Sequence, residues 1–409
     1  MNAPEIKHPV QSTQRDFSNV GYDEAIERAR ALIPFLRQHA AANDKATMLV
    51  PEVVNALHES GLWRYIQPKM WGGMELDFVA YFDIPEMIGR GDAATAWVAA
   101  NLASHHRGLA LWPKQAQEEI WGKNPDILIA SGIAFMQGTG RKVDGGIELS
   151  GKWGFSSGVD HSEWEQLACV VKDADGKPID WVMCQVPRPQ FVVVDDWQTL
   201  GMRGTGSRTV TCDKVFVPAH RAISMHVANP AHEYPGLKLH TNSTFRVPTP
   251  SLGGHCIAGA MVGNATHMLE QTVELVKQRS TSYTGAKMRD FQAVQLRVGM
   301  AGAKIEAVRV WLRNDCLEAH SVYRAGGKLD MQSKLRYKRN AAMGMKLLGE
   351  AVDSLYEMLG ANGIYDSSAM QRLFRDHHAA AGHFSFSTDA QLGPWAQVAM
   401  GGEFKSPTL

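Results

Sequence analysis

From residue 21 to about 125 the apolar positions recur at helical spacing. Ile26, Ala29, Ile33 and Leu36 follow at intervals of 3, 4 and 3, which puts them on one stripe of a helix. Pro51 suits a first helical turn, Val53, Val54 and Leu57 supply an apolar face, and Gly61 is placed to end that helix. The stretch from Ala93 to Leu111 is apolar almost throughout and predicts a buried helix. Near Pro125 the period changes. Short β-rich runs at 127–133, 167–171, 181–186 and 191–194 are separated by Gly, Pro and Asp, which reads as strands and turns. With no helical stretch between them, these strands predict an antiparallel sheet or small barrel.

After Pro218 the segment 228–250 is loose, with four prolines among polar residues, and helical patterning then returns. Val294, Val298, Ala301, Ile305, Val308 and Leu312 alternate at 4, 3, 4, 3, 4, the seam of a long bundle helix, and 331–359 is similarly apolar on one side. The order predicts an α+β protein with a helical domain at 1–125, a β domain at 126–227 and a helical bundle at 228–409.

Composition narrows the partners. The 409 residues carry 42 basic and 42 acidic side chains, a formal net charge of +0, so no global field attracts a nucleic acid or an anionic membrane. A small molecule is the expected partner. The five cysteines are widely spaced without a CxxC pair, which fits neither a disulfide framework nor a zinc ribbon. The first 17 residues are polar, and no apolar run approaches the roughly 18 to 20 residues that span a bilayer. A cytoplasmic location is expected.

Several motifs are absent or misplaced. No Walker loop or HExxH occurs. A GxSxG string at Gly154–Gly158 lies between strand signals instead of at a strand-to-helix elbow, which argues against a hydrolase serine. The run from Gly204 to Thr209 lacks the third glycine of a dinucleotide fingerprint. Histidines cluster as His105 and His106, and as His377, His378 and His383. Only Asp376 stands near as a further metal ligand, so no metal is expected, and ordinary core or surface histidines are the alternative reading. Ser156 and Ser157 precede Gly158; such a pair is usually turn chemistry, but a hydroxyl at a strand end can also hold a ring nitrogen or carbonyl of a flat cofactor.

GKWGFSSG (151–158), LGMRGTGSRTV (200–210), KVFVP (214–218), the QRS…FQAVQLRVGMA segment (278–301) and LGANGIY…RLFRD (359–376), in this order, resemble the acyl-CoA dehydrogenase fold over about residues 21–400. The resemblance implies an N-terminal helical domain, a central antiparallel β-barrel or sandwich, and a C-terminal four-helix bundle. A dehydrogenase of this fold needs a glutamate base, either on the first bundle helix or after the Arg-Asp pair. Here 234–269 contains no acidic residue, and after Asp376 the next carboxylates are Asp389 and Glu403.

The chain therefore resembles the flavin-dependent monooxygenase branch, the oxygenase components of two-component hydroxylases of phenols, steroid rings and indoles. That branch carries a histidine after the first buried helix, a serine in a Phe-x-Ser-Gly strand end, and a histidine seven residues beyond Arg-Asp. The matching residues are His105 or His106, Ser157 with Ser156 beside it, and His383. The resemblance implies reduced flavin, as FADH2 or FMNH2, from a separate NAD(P)H-flavin reductase, with O2 as co-substrate and a C4a-hydroperoxide as the oxidant. Ser157 would bond ring nitrogen 5, His383 would bond or protonate the oxidant, and His105 or His106 would orient or deprotonate an aromatic substrate. Arg203, Thr205 and Ser207 would line the flavin edge. Arg279 and Gln295 would reach the phosphate or adenylate end from a neighbouring subunit of a homotetramer. Trp63, Trp71 and Trp112 would stack on the substrate, unless they are core aromatics. The alternatives are a dehydrogenase with an atypical base, which an acyl-CoA would bleach anaerobically, and a scaffold that has lost its flavin.

Overall fold

The computed structural model describes residues 15–229 and 232–409. Residues 1–14, which hold most of the polar N-terminal run, and residues 230–231 of the proline-rich stretch lie outside the described residues.

Five helices come first: α1 (Tyr22–Ala46), α2 (Pro51–Ser60), α3 (Ala80–Gly89), α4 (Ala93–Leu109) and α5 (Lys114–Trp121). On α1 the buried line is Ala25, Ala29, Leu36 and Ala40, so Ile26 and Ile33 sit on the shoulder of the predicted stripe. Helix α2 begins at Pro51 and stops before Gly61. Helix α4 is buried nearly all round, and its buried start is capped by Asp92, whose carboxylate accepts the Thr95 N–H.

Eight strands follow: β1 (Ile129–Gly132), β2 (Gly138–Val143), β3 (Gly146–Ser156), β4 (Trp164–Lys172), β5 (Pro178–Pro187), β6 (Val192–Val194), β7 (Arg208–Pro218) and β8 (Ala222–Ser224). They form one sheet in the order β6-β7-β3-β2-β4-β5-β8, with β1 also paired to β4. The hairpin pairings are antiparallel as expected, but β1 and β2 both run parallel to β4. The sheet is therefore mixed, because local alternation shows which face a residue takes and says nothing of strand direction. Leu167, Cys169 and Val171 on one face of β4 join the main core with Leu149, Trp153, Cys184 and Val210. Trp164 and Ala168 on the other face pack with Trp112, Ile120 and Trp121 near α5. Burial on both faces explains why β4 reads as a continuous apolar run.

The last section comprises α6 (Thr249–Gln278), α7 (Gln292–Arg324), α8 (Met331–Glu357), α9 (Ala369–Ala381) and α10 (Thr388–Ala399). Ala301, Ile305, Val308 and Leu312 form the buried seam of α7, continued by Cys316 and Ala319. No helix among the described residues is long and apolar enough to cross a membrane. All five cysteines are buried and unpaired.

Candidate active site

Four separate segments meet at Trp97 of α4. Its indole N–H donates to Ser157 Oγ at 3.2 Å, and its ring meets His383 edge-on with centroids 5.6 Å apart and Phe386 at 6.4 Å. Ser157 Oγ lies 2.8 Å from Ser207 Oγ, which lies 2.6 Å from Thr205 Oγ1, and Thr205 donates to the Met202 carbonyl at 2.8 Å. The strand end after β3, the turn before β7, the buried helix α4 and the turn after α9 thus contribute one row of polar groups. All three hydroxyl residues are buried. Trp97 was not anticipated from sequence; its place in an apolar helix made it look like core, and only its N–H marks it as a group that needs a polar partner.

The strand end separates the two serines. Trp153 and Ser156 both face the sheet interior, three residues apart, because the pairing of β3 with β7 shifts register between them and Phe155 takes a left-handed φ of 64°. Ser156 therefore donates to Glu165 Oε1 at 2.6 Å, and Ser157 turns to Trp97. Ser156 thus stands outside the hydroxyl row that Ser157 joins. Burial pushes the Glu165 carboxyl up to about 8, so it is neutral at pH 7. Gly158 then needs its φ of +76°, and a Cβ there would stand 2.7 Å from Val98 Cγ1. Gly158→Ala is expected to cost about 1–3 kcal/mol of stability in a urea titration.

His383 receives the Ser385 N–H on Nδ1 at 3.2 Å. That fixes the proton of the neutral ring on Nε2, which has no partner among the described residues. Burial lowers its pKa to about 4, so it is an uncharged donor at neutral pH.

His105 lies two turns from Trp97, roughly 12 Å along α4 at 1.5 Å per residue. Its Nδ1 meets the Ile129 carbonyl at 2.7 Å and must carry the proton, and its Nε2 faces Ser131 Oγ at 2.8 Å and must accept. Burial holds its pKa near 4. His106 points elsewhere: it stacks on Trp121 with Nδ1 3.4 Å from Gln67. The geometry favours His105 of the pair, with Ser131 as a partner the sequence reading missed.

Other expected residues have different duties. Arg203 spends its guanidinium on the Asp44 and Thr199 carbonyls, anchoring the turn to α1, because a contact 159 residues away in the chain is invisible to local pattern. Trp63 donates to Val54 O, Trp112 to Arg221 O and Trp71 to Gln117; Trp63 and Trp112 are buried and Trp71 is partly buried. Arg279 donates to Leu359 O and lines a cleft of about 450 Å³ with Ser280, Thr281, Tyr283 and Arg297; Gln295 bonds the Arg289 carbonyl outside that lining. His377 is buried without a hydrogen-bond partner among the described residues, and His378 pairs with Asp353. No group of three or more described His, Cys, Asp or Glu side chains is arranged to hold a metal ion.

No hydrogen bond or ion pair among the described residues joins a carboxylate to Trp97, Ser157, Ser207 or His383. Asp376 is buried and pushed up to about 7 by burial and then by Asp92, and it accepts the Met202 N–H at 2.6 Å. Gly201 sits so close to α9 that a Cβ would lie 2.2 Å from the Arg375 carbonyl.

The N-terminal domain pattern of the acyl-CoA dehydrogenases matches residues 27–122, and their C-terminal domain pattern matches 255–388, together more than half of the chain. Over 360 residues, 88% of this chain and 93% of the relative, the sequence is 32% identical to the flavin-dependent monooxygenase oxygenase subunit HsaA of Rhodococcus jostii strain RHA1. The chain belongs to the acyl-CoA dehydrogenase family, in its flavin-dependent monooxygenase branch. The crystal structure of 3-HSA hydroxylase from Rhodococcus sp. RHA1 matches this oxygenase with a TM-score of 0.89 at 30% identity, over 94% of this chain and 99% of that one. The FADH2-dependent resorcinol hydroxylase oxygenase component of Rhizobium sp. strain MTP-10005 is 29% identical over 89% of this chain and 91% of its own.

The buried histidines are expected to lower the oxygenase's stability in acid. His58, His105, His161, His267, His377 and His383 are lowered to about 3 or 4, chiefly by burial, and His106 is lowered too. Unfolded histidines take up protons near 6.5 that these folded ones refuse, so stability falls as pH drops from about 6.5 toward 4. Glu163, Glu165 and Asp376, raised to about 7 or 8, and Asp83, Glu86 and Asp160, also raised by burial, act in the opposite sense but are fewer than the seven histidines. Each net proton is worth about 1.4 kcal/mol per pH unit, so the urea midpoint is expected to fall steeply between pH 6.5 and 5.

Proposed function

We propose that this oxygenase places one atom of O2 on a small phenol or related aromatic, using reduced FMN or FAD delivered by a separate NAD(P)H-dependent reductase. The observation that carries this is the junction at Trp97, which links a buried hydroxyl row to a neutral histidine donor. The residues fit a flavin ring: Ser157 is buried with room for one more hydrogen bond, and His383 Nε2 is an unmatched donor. Bound reduced flavin supplies the two electrons that let one oxygen enter the ring while the other leaves as water.

Ser157 holds the edge of the flavin ring, and Ser207 and Thr205 hold Ser157. His383 presents a proton at Nε2 to the oxygen side. Trp97 and Phe386 keep water from that face. The His105–Ser131 pair accepts the substrate hydroxyl: Ser131 Oγ can take its hydrogen bond while giving its own proton to His105 Nε2. Arg279 and the residues around its cleft meet the phosphate or adenylate end. The absence of a bonded carboxylate at Trp97 weighs against a dehydrogenase.

A homotetramer is part of the proposal. Leu296, Met300, Val310, Trp311 and Leu317 of α7 are exposed apolar residues on one long helix, an unusual amount of uncovered surface for a monomer. Light scattering of the purified chain checks it.

The test of function is a panel of phenols and indoles supplied with reduced flavin under ¹⁸O2. One labelled oxygen per product supports the proposal. Product under argon, or flavin bleaching by an acyl-CoA, overturns it.

A further inference from the structure

The hydroxyl row has a direction. A carbonyl oxygen cannot donate, so the 2.8 Å contact between Thr205 Oγ1 and Met202 O places the threonine proton on that contact. Thr205 has no second proton, so Ser207 must donate across the 2.6 Å contact to Thr205. Ser207 is then spent, and Ser157 must donate across 2.8 Å to Ser207. At the other end an indole N–H can only donate, and Trp97 gives its proton to Ser157 Oγ. The carbonyl end sets the order and the indole end is compatible with it: Trp97 to Ser157 to Ser207 to Thr205 to the Met202 carbonyl.

We infer that this fixed polarity makes Ser157 a hydrogen-bond acceptor toward the flavin, and that Thr205 and Ser207 are positioning residues through which the site selects reduced over oxidised flavin. The inference rests on the reading of Ser157 as the residue at the flavin edge. Reduced flavin carries N–H at ring nitrogen 5 and can donate to the remaining lone pair of Ser157. Oxidised flavin presents a lone pair there, and two acceptors repel. A lone serine would rotate to suit either form; here rotation would break the contact to Ser207. Such discrimination suits a protein that must accept flavin from solution only after it has been reduced elsewhere.

The row is also well placed to hold its order. Its three hydroxyl residues are buried, so water does not compete for them. The Met202 carbonyl also receives the Trp197 indole N–H at 3.2 Å and the Thr205 backbone N–H at 3.1 Å, both longer than the 2.8 Å hydroxyl contact, and the Met202 N–H donates to Asp376.

The experiment is anaerobic titration of the full chain with reduced and with oxidised FMN and FAD, giving the ratio of the two affinities. Thr205→Val keeps shape but frees Ser207 to donate back to Ser157, so the preference for reduced flavin should shrink by about tenfold, the scale of one net hydrogen bond. For a two-electron couple that is about 30 mV in the potential of the bound flavin, a second readout. Thr205→Ser should restore the ratio. If Ser157→Ala reduces the preference and Thr205→Val does not, the polarity argument is wrong and Ser157 still faces the flavin. If Ser157→Ala leaves the preference unchanged, the placement of Ser157 is itself wrong. Thermal melting of each variant separates loss of fold from loss of discrimination.

Discussion

His105→Ala is expected to slow hydroxylation of a phenol about 100-fold at neutral pH, the lower end of what positioned acid–base groups supply. The lower end applies because burial holds His105 near 4, which makes it a weak resting base toward a phenol that ionises near 10. Its contribution is to share the proton as charge develops on the ring, through Ser131 at 2.8 Å. The Ile129 carbonyl on Nδ1 keeps the basic nitrogen pointed at Ser131. Two observations separate this from lost packing. Raising the pH toward the substrate's own pKa should recover much of the variant's rate, since the phenolate no longer needs the pair. Ser131→Ala should cause much of the same loss, and the double variant should lose little more than either alone. A variant equally slow at every pH would make His105 structural.

His383→Ala is expected to leave flavin oxidation running while diverting it to hydrogen peroxide. A hydrogen bond from an uncharged donor contributes about 0.5–1.5 kcal/mol, so losing the Nε2 donor should lower the ratio of hydroxylated product to peroxide by roughly 2- to 10-fold. Removing the ring also leaves space beside Trp97 and Phe386, where water can enter. Product and peroxide measured in the same reaction give the ratio directly. An unchanged ratio in a variant that melts like the parent would confine His383 to packing. Neither His383 nor His105 should add a limb near pH 6.5 to the rate profile, because each takes up its proton only near 4.

Much of this was legible in the sequence, and the failures share a cause. Helical spacing located α2 and the seam of α7, and the change of period near Pro125 marked the β section. Ser157 and His383 were named from motif positions and do meet at one place. Local pattern could not choose between Ser156 and Ser157, since a register shift and one left-handed residue break the alternation that would have decided it. It could not find Trp97 or Ser131, which look ordinary until a distant segment arrives. The partners of Arg203 and of the three tryptophans are hidden for the same reason, since they are set by tertiary contacts. Strand direction around β4 belongs to this class too.

The carboxylate of Asp376 and the close seat of Gly201 on α9 fasten the turn bearing Thr205 and Ser207 to residues made some 174 positions later. While the chain is still emerging from the ribosome, the turn can grip α1 through Arg203 but lacks its contacts to α9. Competence to receive flavin is therefore expected to be a late event of biosynthesis, since a nascent chain stalled before α9 lacks the residues that hold this turn in place.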